Sequence, residues 1–313
     1  SMADRRVIFR SEKGNFALLP LIPGMFEYLL MSGRNSEWHR TYGRLINKLY
    51  ATGYSRRYST TPSPLIRNIP LDVVVENKTR VMDADLISRL IESHTNLAVL
   101  NVCQCRQSAS FEGRVCRRSL PEDGCLVFGS FADTVITQGV ARRVSRSEMH
   151  EIVRQRWKKN LVFMTANIEP ANANAICTCC DCCCHFMESI EHFNGRVSLA
   201  EPHFLAHMER ESCINCGRCV RVCNTRAHSM KDKEHAFDQK KCIGCGLCIE
   251  SCPEKRIFML TNPSYQRPSK SWLTLWLRVL PAAALASLRA FRWKGNGFPS
   301  TKGTKAEQEL NDD

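Results

Sequence analysis

Eight cysteines in the C-terminal half of the chain recur in a spacing that suits iron–sulfur ligation. The first run, Cys213 to Cys223, reads C-x2-C-x2-C-x3-C, and the run from Cys242 to Cys252 repeats it and is followed by Pro253. A cubane cluster has four iron corners that each need one thiolate, and thiolates at i, i+3 and i+6 wrap it in a tight turn. Glycines let the backbone pass close to the inorganic sulfurs, where amides can donate hydrogen bonds. Such glycines lie inside both runs, at Gly217, Gly244 and Gly246.

The two runs resemble the bacterial-type two-cluster ferredoxin domain over residues 205–262. The resemblance implies that one [4Fe-4S] cluster is held by Cys213, Cys216, Cys219 and Cys252. It implies that the other is held by Cys223, Cys242, Cys245 and Cys248. Asn224 stands where the pattern has proline, and we expect this departure to loosen the local turn. Zinc binding by paired C-x-x-C units is the alternative, which two complete four-cysteine runs disfavour.

Ten further thiols precede residue 186, and they are Cys103, Cys105, Cys116, Cys125, Cys177, Cys179, Cys180, Cys182, Cys183 and Cys184. Cys177, Cys180 and Cys183 have the i, i+3, i+6 spacing of a cubane turn, with Cys179 and Cys182 as an offset pair. Three interpretations stay open. The first is one or two additional Fe–S clusters. The second is a zinc or mixed site that uses Cys103, Cys105 and His185, and the third is a set of reactive or substrate-binding thiols.

Other segments carry a second resemblance, to poorly characterised ferredoxin-domain proteins of anaerobic bacteria and archaea. Those proteins pair a C-x-C-R region with an I-C-N-C-C-x-C-C-C run ahead of the two-cluster domain. Here the matching segments are Cys103-Gln-Cys105-Arg106 and Ile176 to Cys184, with Thr178 in place of asparagine. The resemblance implies a shared architecture and iron–sulfur redox work, and it attaches no substrate.

Composition narrows the class of protein. The chain has 313 residues, 18 cysteines and a formal net charge of +13, and 43% of its residues are apolar. It is therefore neither a disordered chain nor a small disulfide-stapled secreted domain. Closely spaced thiols favour a reducing compartment, and we expect the cytoplasm, with membrane association left open. The sequence has no nucleic-acid motif, so no nucleic-acid partner is expected, whereas a redox partner protein is.

The expected fold class is α+β, with a mixed α/β N-terminal domain followed by a ferredoxin-like domain. We place the domains at 1–185 for the Cys-rich part, 186–262 for the two-[4Fe-4S] part, and 263–313 for a linker, a basic amphipathic helix and a disordered tail. Helices are expected within 1–60, at Asp83–Ser93 and from the capping box Ser145 and Glu148 to Lys158. Strands are expected at Ile69–Val75, Leu97–Val102 and Leu161–Thr165, and a loop over 170–184.

The apolar segment Trp272–Leu288 is flanked by Lys270, Arg289, Arg292 and Lys294. A helix with these flanks suits either a membrane interface, through residues 270–294, or a seat on the protein's own core. An arginine and a proline inside the segment argue against a membrane span.

The preferred function is electron transfer, in which single electrons pass through two [4Fe-4S] clusters to an N-terminal cluster or a partner oxidoreductase. One alternative is an iron–sulfur reductase that binds substrate at an N-terminal metal or cluster site. Another is a thiol-based metal-binding or redox-sensing protein. Whether the chain is an enzyme, or a subunit of one, stays open, and no catalytic residue is assigned. Arg106, Arg142 and Arg143 are candidates for binding an anion.

Overall fold

The computed structural model describes residues 8–10, 16–18, 29–51, 64–70, 87–169, 172–192 and 199–291. The strands of this part are β1 (Ile8–Arg10), β2 (Phe16–Leu18), β3 (Ile66–Ile69), β4 (Leu97–Leu100), β5 (Leu126–Phe128), β6 (Ala141–Arg143), β7 (Val162–Ala166), β8 (Ala175–Cys179), β9 (Phe204–Met208), β10 (His228–Lys231), β11 (Glu234–Phe237) and β12 (Ile257–Thr261). The helices are α1 (Glu37–Ala51), α2 (Ile87–Ser93), α3 (Gln104–Ser110), α4 (Gly129–Thr137), α5 (Arg146–Lys158), α6 (His185–His192), α7 (Arg218–Val222), α8 (Leu247–Ser251) and α9 (Trp272–Phe291).

A six-stranded sheet in the order β3-β7-β8-β5-β4-β6 organises the N-terminal part. Every neighbouring pair in it is antiparallel, so the N-terminal part is α+β and lacks the parallel strands of a doubly wound α/β domain. Strands β4, β5 and β7 are buried along their whole length, which accounts for their continuous apolar sequences. The α+β fold class is confirmed.

The C-terminal part is built from smaller pieces. Strands β9 and β12 pair antiparallel, and β10 and β11 form a hairpin between the two short helices α7 and α8. One hydrophobic core runs from Phe163 and Met164 of the large sheet to Ile243, which follows β11, and Leu247, which begins α8. The proposed boundaries near residues 185 and 262 stay predictions.

Several local expectations are confirmed. Helix α5 spans the predicted range, and the Ser145 hydroxyl accepts a hydrogen bond from the Glu148 N–H at 3.1 Å. Strand β4 lies within the predicted segment and leads towards Cys103, and β7 matches its prediction to within one residue. The described part of the predicted helix over 83–93 is helical from Ile87.

Other expectations are wrong. The predicted loop over 170–184 contains β8, because β5 and β7 supply hydrogen-bonding partners on both of its sides. The hairpin of β1 and β2 replaces part of the helix expected within 1–60. Strand β3 ends at Ile69, and residues 71–75 of the predicted strand lie outside the described residues.

Helix α9 has two faces. Leu275 and Val279 are buried against the core, whereas three leucines remain more than half exposed, at Leu273, Leu277 and Leu280. The first half of the helix is therefore seated on the protein's own core. Among the described residues, no helix has both the length and the apolar character that crossing a membrane requires. The tail predicted beyond Phe291 lies outside the described residues.

Candidate functional site

The two cysteine runs fold into matching turns, each followed by a five-residue helix. Helices α7 and α8 begin after Gly217 and Gly246, which have φ values of 67° and 88°. Gly244 has a φ of 68°, and a Cβ added there would collide with the carbonyl oxygen of Phe204. Left-handed backbone and close approach both require glycine, so these residues shape the turns as the sequence predicts.

The first predicted ligand set is brought together in space. Its four thiols line one pocket, and they are Cys213, Cys216, Cys219 and Cys252. The Arg256 backbone N–H donates a hydrogen bond to the Cys252 sulfur at 3.4 Å. Burial, with smaller contributions from Cys213 and Cys216, raises the pKa of the Cys219 thiol to about 11. A metal centre must therefore displace this proton when it binds.

The second predicted set also converges. Burial, followed by the neighbouring charges of Cys223 and Cys242, raises the pKa of Cys245 to about 12. Burial and the same neighbours raise the pKa of Cys248 well above its ordinary value, and Cys219 of the first set contributes to that shift. The two sets are thus close enough to interact electrostatically.

Asn224, which stands in place of the expected proline, links two segments of the chain through its side-chain hydrogen bonds. Its side chain is only 4% exposed. The amide group donates to the carbonyl oxygens of Asn160 at 2.8 Å and Val222 at 3.1 Å, and its oxygen accepts from the Asp181 N–H at 3.1 Å. The expectation of a loosened turn is therefore wrong, because the asparagine bonds the first cysteine run to the dense cysteine segment.

The ten N-terminal thiols divide into two groups. We call the first the six-thiol chamber, formed by Cys103, Cys105, Cys125, Cys177, Cys179 and Cys184, which all line one cavity of about 360 Å³. We call the second the four-thiol site, formed by Cys116, Cys180, Cys182 and Cys183, whose sulfurs all lie within 4.8 Å of one another. Cys180 also contributes to the cavity wall, so the two groups are adjacent.

The chamber collects thiols from distant parts of the chain. Cys103 and Cys105 lie at the start of α3, and Cys125 directly precedes β5. Cys177 and Cys179 share one face of β8, since strand side chains alternate, and Cys184 directly precedes α6. The sheet and the two helix starts therefore build the chamber together.

Hydrogen bonds link the chamber thiols in a chain. Contacts from Cys125 and Cys179 lower the pKa of Cys177, and contacts from Cys105 and Cys179 lower the pKa of Cys184. The pKa values of the thiols that donate these hydrogen bonds shift the other way, and they are raised at Cys125, Cys179 and Cys105. Thiolates are the ligands of soft metals, so a buried group of thiols that share protons in this way is a candidate metal site.

Two buried arginines supply positive charge beside the thiols. Arg106 is 1% exposed, and its guanidinium donates to the carbonyl oxygens of Asp123 at 2.8 Å and Thr178 at 2.7 Å. Burial lowers the pKa of Arg106, but Cys103 and the neighbouring thiolates raise it by more. Arg156 lies nearby and donates to the Thr178 hydroxyl at 3.3 Å. The Nε atoms of both arginines are buried without a hydrogen-bond partner.

His185 is held beside the chamber. Its Nδ1 lies 3.9 Å from the Cys105 sulfur, its Nε2 lies 2.9 Å from the Asn47 oxygen, and its ring stacks on Tyr50. Burial lowers the pKa of His185 to about 4, so the imidazole is neutral at pH 7. A neutral ring nitrogen is a metal donor, and the mixed Cys/His interpretation keeps its geometric basis.

The four-thiol site joins two loops. Cys116 follows α3, and the other three thiols belong to the turn between β8 and α6. The Cys116 sulfur lies 3.6 Å from that of Cys180 and 3.5 Å from that of Cys182, and Cys182 and Cys183 are 3.8 Å apart. Contacts from Cys180, Cys182 and Cys183 lower the pKa of Cys116.

The sequence spacing does not anticipate this division. It groups Cys177, Cys180 and Cys183 as one cubane turn, whereas the structure assigns Cys177 to the chamber and the other two to the four-thiol site. It also misses Trp272 and Trp276 of α9, which line the chamber. In the sequence, these two tryptophans are marked only by their position in an apolar segment.

Two of the three candidate anion-binding arginines lie in surface ion pairs. Arg142 pairs with Glu148 at 2.5 Å, and Arg143 pairs with Asp133 at 2.9 Å. Both arginine side chains are 55% exposed, so these pairs are ordinary features of a solvated surface. Only Arg106 lies at the chamber.

Comparison with known families supports the C-terminal assignment. Residues 206–259 match the family model described as a 4Fe-4S dicluster domain. A search of curated proteins finds no match. The chain is thus an iron–sulfur protein with a ferredoxin-type dicluster domain.

Proposed function

We propose that this iron–sulfur protein transfers single electrons from its dicluster domain to a further Fe–S cluster in the six-thiol chamber, or to a partner oxidoreductase. The observation that carries the proposal is the convergence of six thiols on one cavity of about 360 Å³ in the part that precedes the dicluster domain. A cubane needs four thiolates, and the chamber offers more than that number.

The residues of the dicluster domain fit two clusters. We assign Cys213, Cys216, Cys219 and Cys252 to one and Cys223, Cys242, Cys245 and Cys248 to the other. Bound clusters supply one-electron redox chemistry. The chain supplies thiolates, a backbone N–H that donates to the Cys252 sulfur, and a hydrophobic core that includes Cys219, Cys242 and Cys248.

The chamber suits an electron-rich centre. The unpartnered Nε of Arg106 is a donor that a sulfide or a coordinated thiolate would satisfy. The arginine charge also offsets the negative charge that several thiolates bring. Positive charge beside a buried centre favours its reduced form, which suits the chamber as an electron acceptor.

Direct contacts connect the dicluster domain with the N-terminal part. The Asn224 side chain bonds to Asp181 and Asn160, and the Trp157 indole N–H donates to Glu250 at 2.7 Å. Glu250 belongs to α8, between the ligands Cys248 and Cys252. These hydrogen bonds hold the two parts against each other, which electron transfer between them requires.

A reductase is the second candidate function, and the apolar side of the chamber favours it. Met31, Phe131, Trp272 and Trp276 line the cavity together with the thiols. Ligand sites are commonly apolar with a few polar groups that fix orientation. The substrate would then be an apolar molecule that is reduced beside the chamber centre.

Metal and sulfide counts test the proposal. In the chain purified without oxygen, about twelve irons and twelve acid-labile sulfides are expected if the chamber holds one cubane besides the two of the dicluster domain. Replacing two chamber ligands, Cys177→Ser with Cys184→Ser, should remove about four of each and leave the dicluster signals in EPR spectra. The matched control is Cys116→Ser in the four-thiol site, which should leave both counts unchanged.

Two outcomes would contradict the proposed cluster in the six-thiol chamber. A parent protein with about eight irons and eight sulfides would overturn the chamber cluster. An unchanged count in the double variant would do the same. An added apolar compound that changes the EPR signal of the chamber centre, but not those of the dicluster domain, would favour the reductase over the relay.

A further inference from the structure

We propose that the four-thiol site binds a single zinc ion, as a structural centre separate from every iron–sulfur cluster. Its ligands are Cys116, Cys180, Cys182 and Cys183. This inference does not rest on the proposed electron transfer, because it concerns other residues and another metal.

The sulfur spacing is the first argument. Zinc binds thiolates at about 2.3 Å in a tetrahedron, which places the sulfurs roughly 3.8 Å apart. Three of the sulfur–sulfur separations are 3.5, 3.6 and 3.8 Å, which match that edge, and all four sulfurs lie within 4.8 Å of one another. A cubane attaches each thiolate to a different iron, so the cluster body would separate the sulfurs more widely. The site therefore has room for one ion and not for a cluster.

Ligand number is the second argument. Structural zinc sites are closed and four-coordinate, and four cysteines are a common set. Cys180 and Cys183 are 1% and 0% exposed, whereas Cys116 and Cys182 are partly exposed. The ion would thus sit at the edge of the core, with two ligands reachable from solvent. Zinc exceeds ferrous iron in affinity for the same donors.

The surroundings of the sulfurs are the third argument. The Arg117 backbone N–H donates to the Cys182 sulfur at 3.4 Å. Asp181, between the ligands, forms ion pairs with Arg117 at 3.0 Å and Arg118 at 2.6 Å. One zinc with four thiolates carries a charge of about −2, which two arginines beside one aspartate reduce. Hydrogen bonds and ion pairs of this kind orient ligands and tune their basicity.

The position of the site gives it a role. It fastens the loop that contains Cys116 to the turn that contains Cys180, and that turn leads directly to the chamber ligand Cys184. Asn224 holds the same turn from the side of the dicluster domain. A zinc ion here would fix the chamber wall without taking part in electron transfer, since zinc has no redox chemistry in proteins.

The test measures zinc, iron and acid-labile sulfide together in the full chain. About one zinc per chain is expected beside the iron, and Cys116→Ser or Cys182→Ser should reduce it to a small fraction while iron and sulfide stay constant. The matched control Cys125→Ser lies in the chamber and should leave zinc unchanged. Loss of sulfide in Cys116→Ser, or zinc that stays bound in both variants, would overturn the proposal.

A measurement on the unmodified chain covers the case in which a variant does not fold. X-ray absorption at the zinc edge should show four sulfur neighbours at about 2.3 Å and no nearby metal. Nitrogen or oxygen neighbours, an absence of zinc, or a mononuclear iron centre in its place would each overturn the assignment. Zinc can be absent while the iron count reaches about twelve, so failure here is distinct from failure of the chamber cluster.

Discussion

Replacing Asn224 by proline should destabilise the protein, although proline is the residue that the ferredoxin-type pattern has at this position. The asparagine side chain forms three hydrogen bonds in a site that is 4% exposed. Proline removes all three and leaves the Asp181 N–H without its partner. The tie between the first cysteine run and the dense cysteine segment is lost at the same time.

The magnitude follows from those bonds. Each contributes about 1 kcal/mol net, so the free energy of unfolding should fall by about 3 kcal/mol. With a urea slope of about 3 kcal/mol/M, the unfolding midpoint should move down by about 1 M. The assay is urea unfolding of the chain purified without oxygen, followed by far-UV circular dichroism.

Asn224→Ala is the matched variant, since it removes the same three hydrogen bonds without introducing the proline ring. Its unfolding midpoint should also lie about 1 M below that of the parent. A proline or alanine variant with a midpoint at or above that of the parent would refute the reasoning.

Three other predictions follow from particular contacts. Gly244→Ala should remove about four irons, since the added Cβ collides with a backbone carbonyl oxygen. The control is Gly113→Ala, at another glycine with a positive φ of 74°, where an added Cβ has nothing within 4 Å and the iron count should stay that of the parent. Burial alone would raise the pKa of Asp123, but hydrogen bonds from Lys159 and Ser119 outweigh burial and lower that pKa below its ordinary value. The ionised Asp123 therefore contributes to stability above about pH 4, and this contribution is lost as the pH falls below that value. Lys159→Met should therefore lose less thermal stability than the parent between pH 7 and pH 3; an equal loss would contradict this assignment. We also propose peripheral membrane contact through residues 270–294. A triple variant with serine at the exposed positions Leu273, Leu277 and Leu280 should therefore cosediment less with anionic liposomes than the parent does. The control is Leu260→Ser, at another exposed leucine, and unchanged binding by the triple variant would remove this proposal.

Local patterns were the reliable part of the sequence. The capping box at Ser145 and Glu148 places the start of α5 correctly, because both groups act within one helical turn. The glycines Gly217 and Gly244 mark left-handed turns for the same reason. Where the sequence misled, as at β8, the deciding partners were strands more than ten residues away along the chain.

The ten N-terminal cysteines show most clearly what sequence spacing does not predict. Strand β8 turns alternate residues to one face, which sends Cys177 and Cys179 into the chamber. The turn that follows bends Cys180, Cys182 and Cys183 towards Cys116. No spacing rule within the segment separates these neighbours, because their partners come from the residue before β5, from the start of α3 and from the loop after α3.

The sequence by itself determined the kind of chemistry. Eight cysteines in two repeated turns predict a dicluster domain, and the family match at 206–259 supports it. In the ligand sets that the ferredoxin resemblance implies, all but one of the cysteines for each cluster come from a single short turn. The tertiary structure alone decided what the other ten thiols form, which is one group of six around a cavity and one group of four at single-ion spacing. The physical reason is that ligand sets inside one turn depend on local backbone geometry, whereas these two sets depend on strand register and on packing between distant segments.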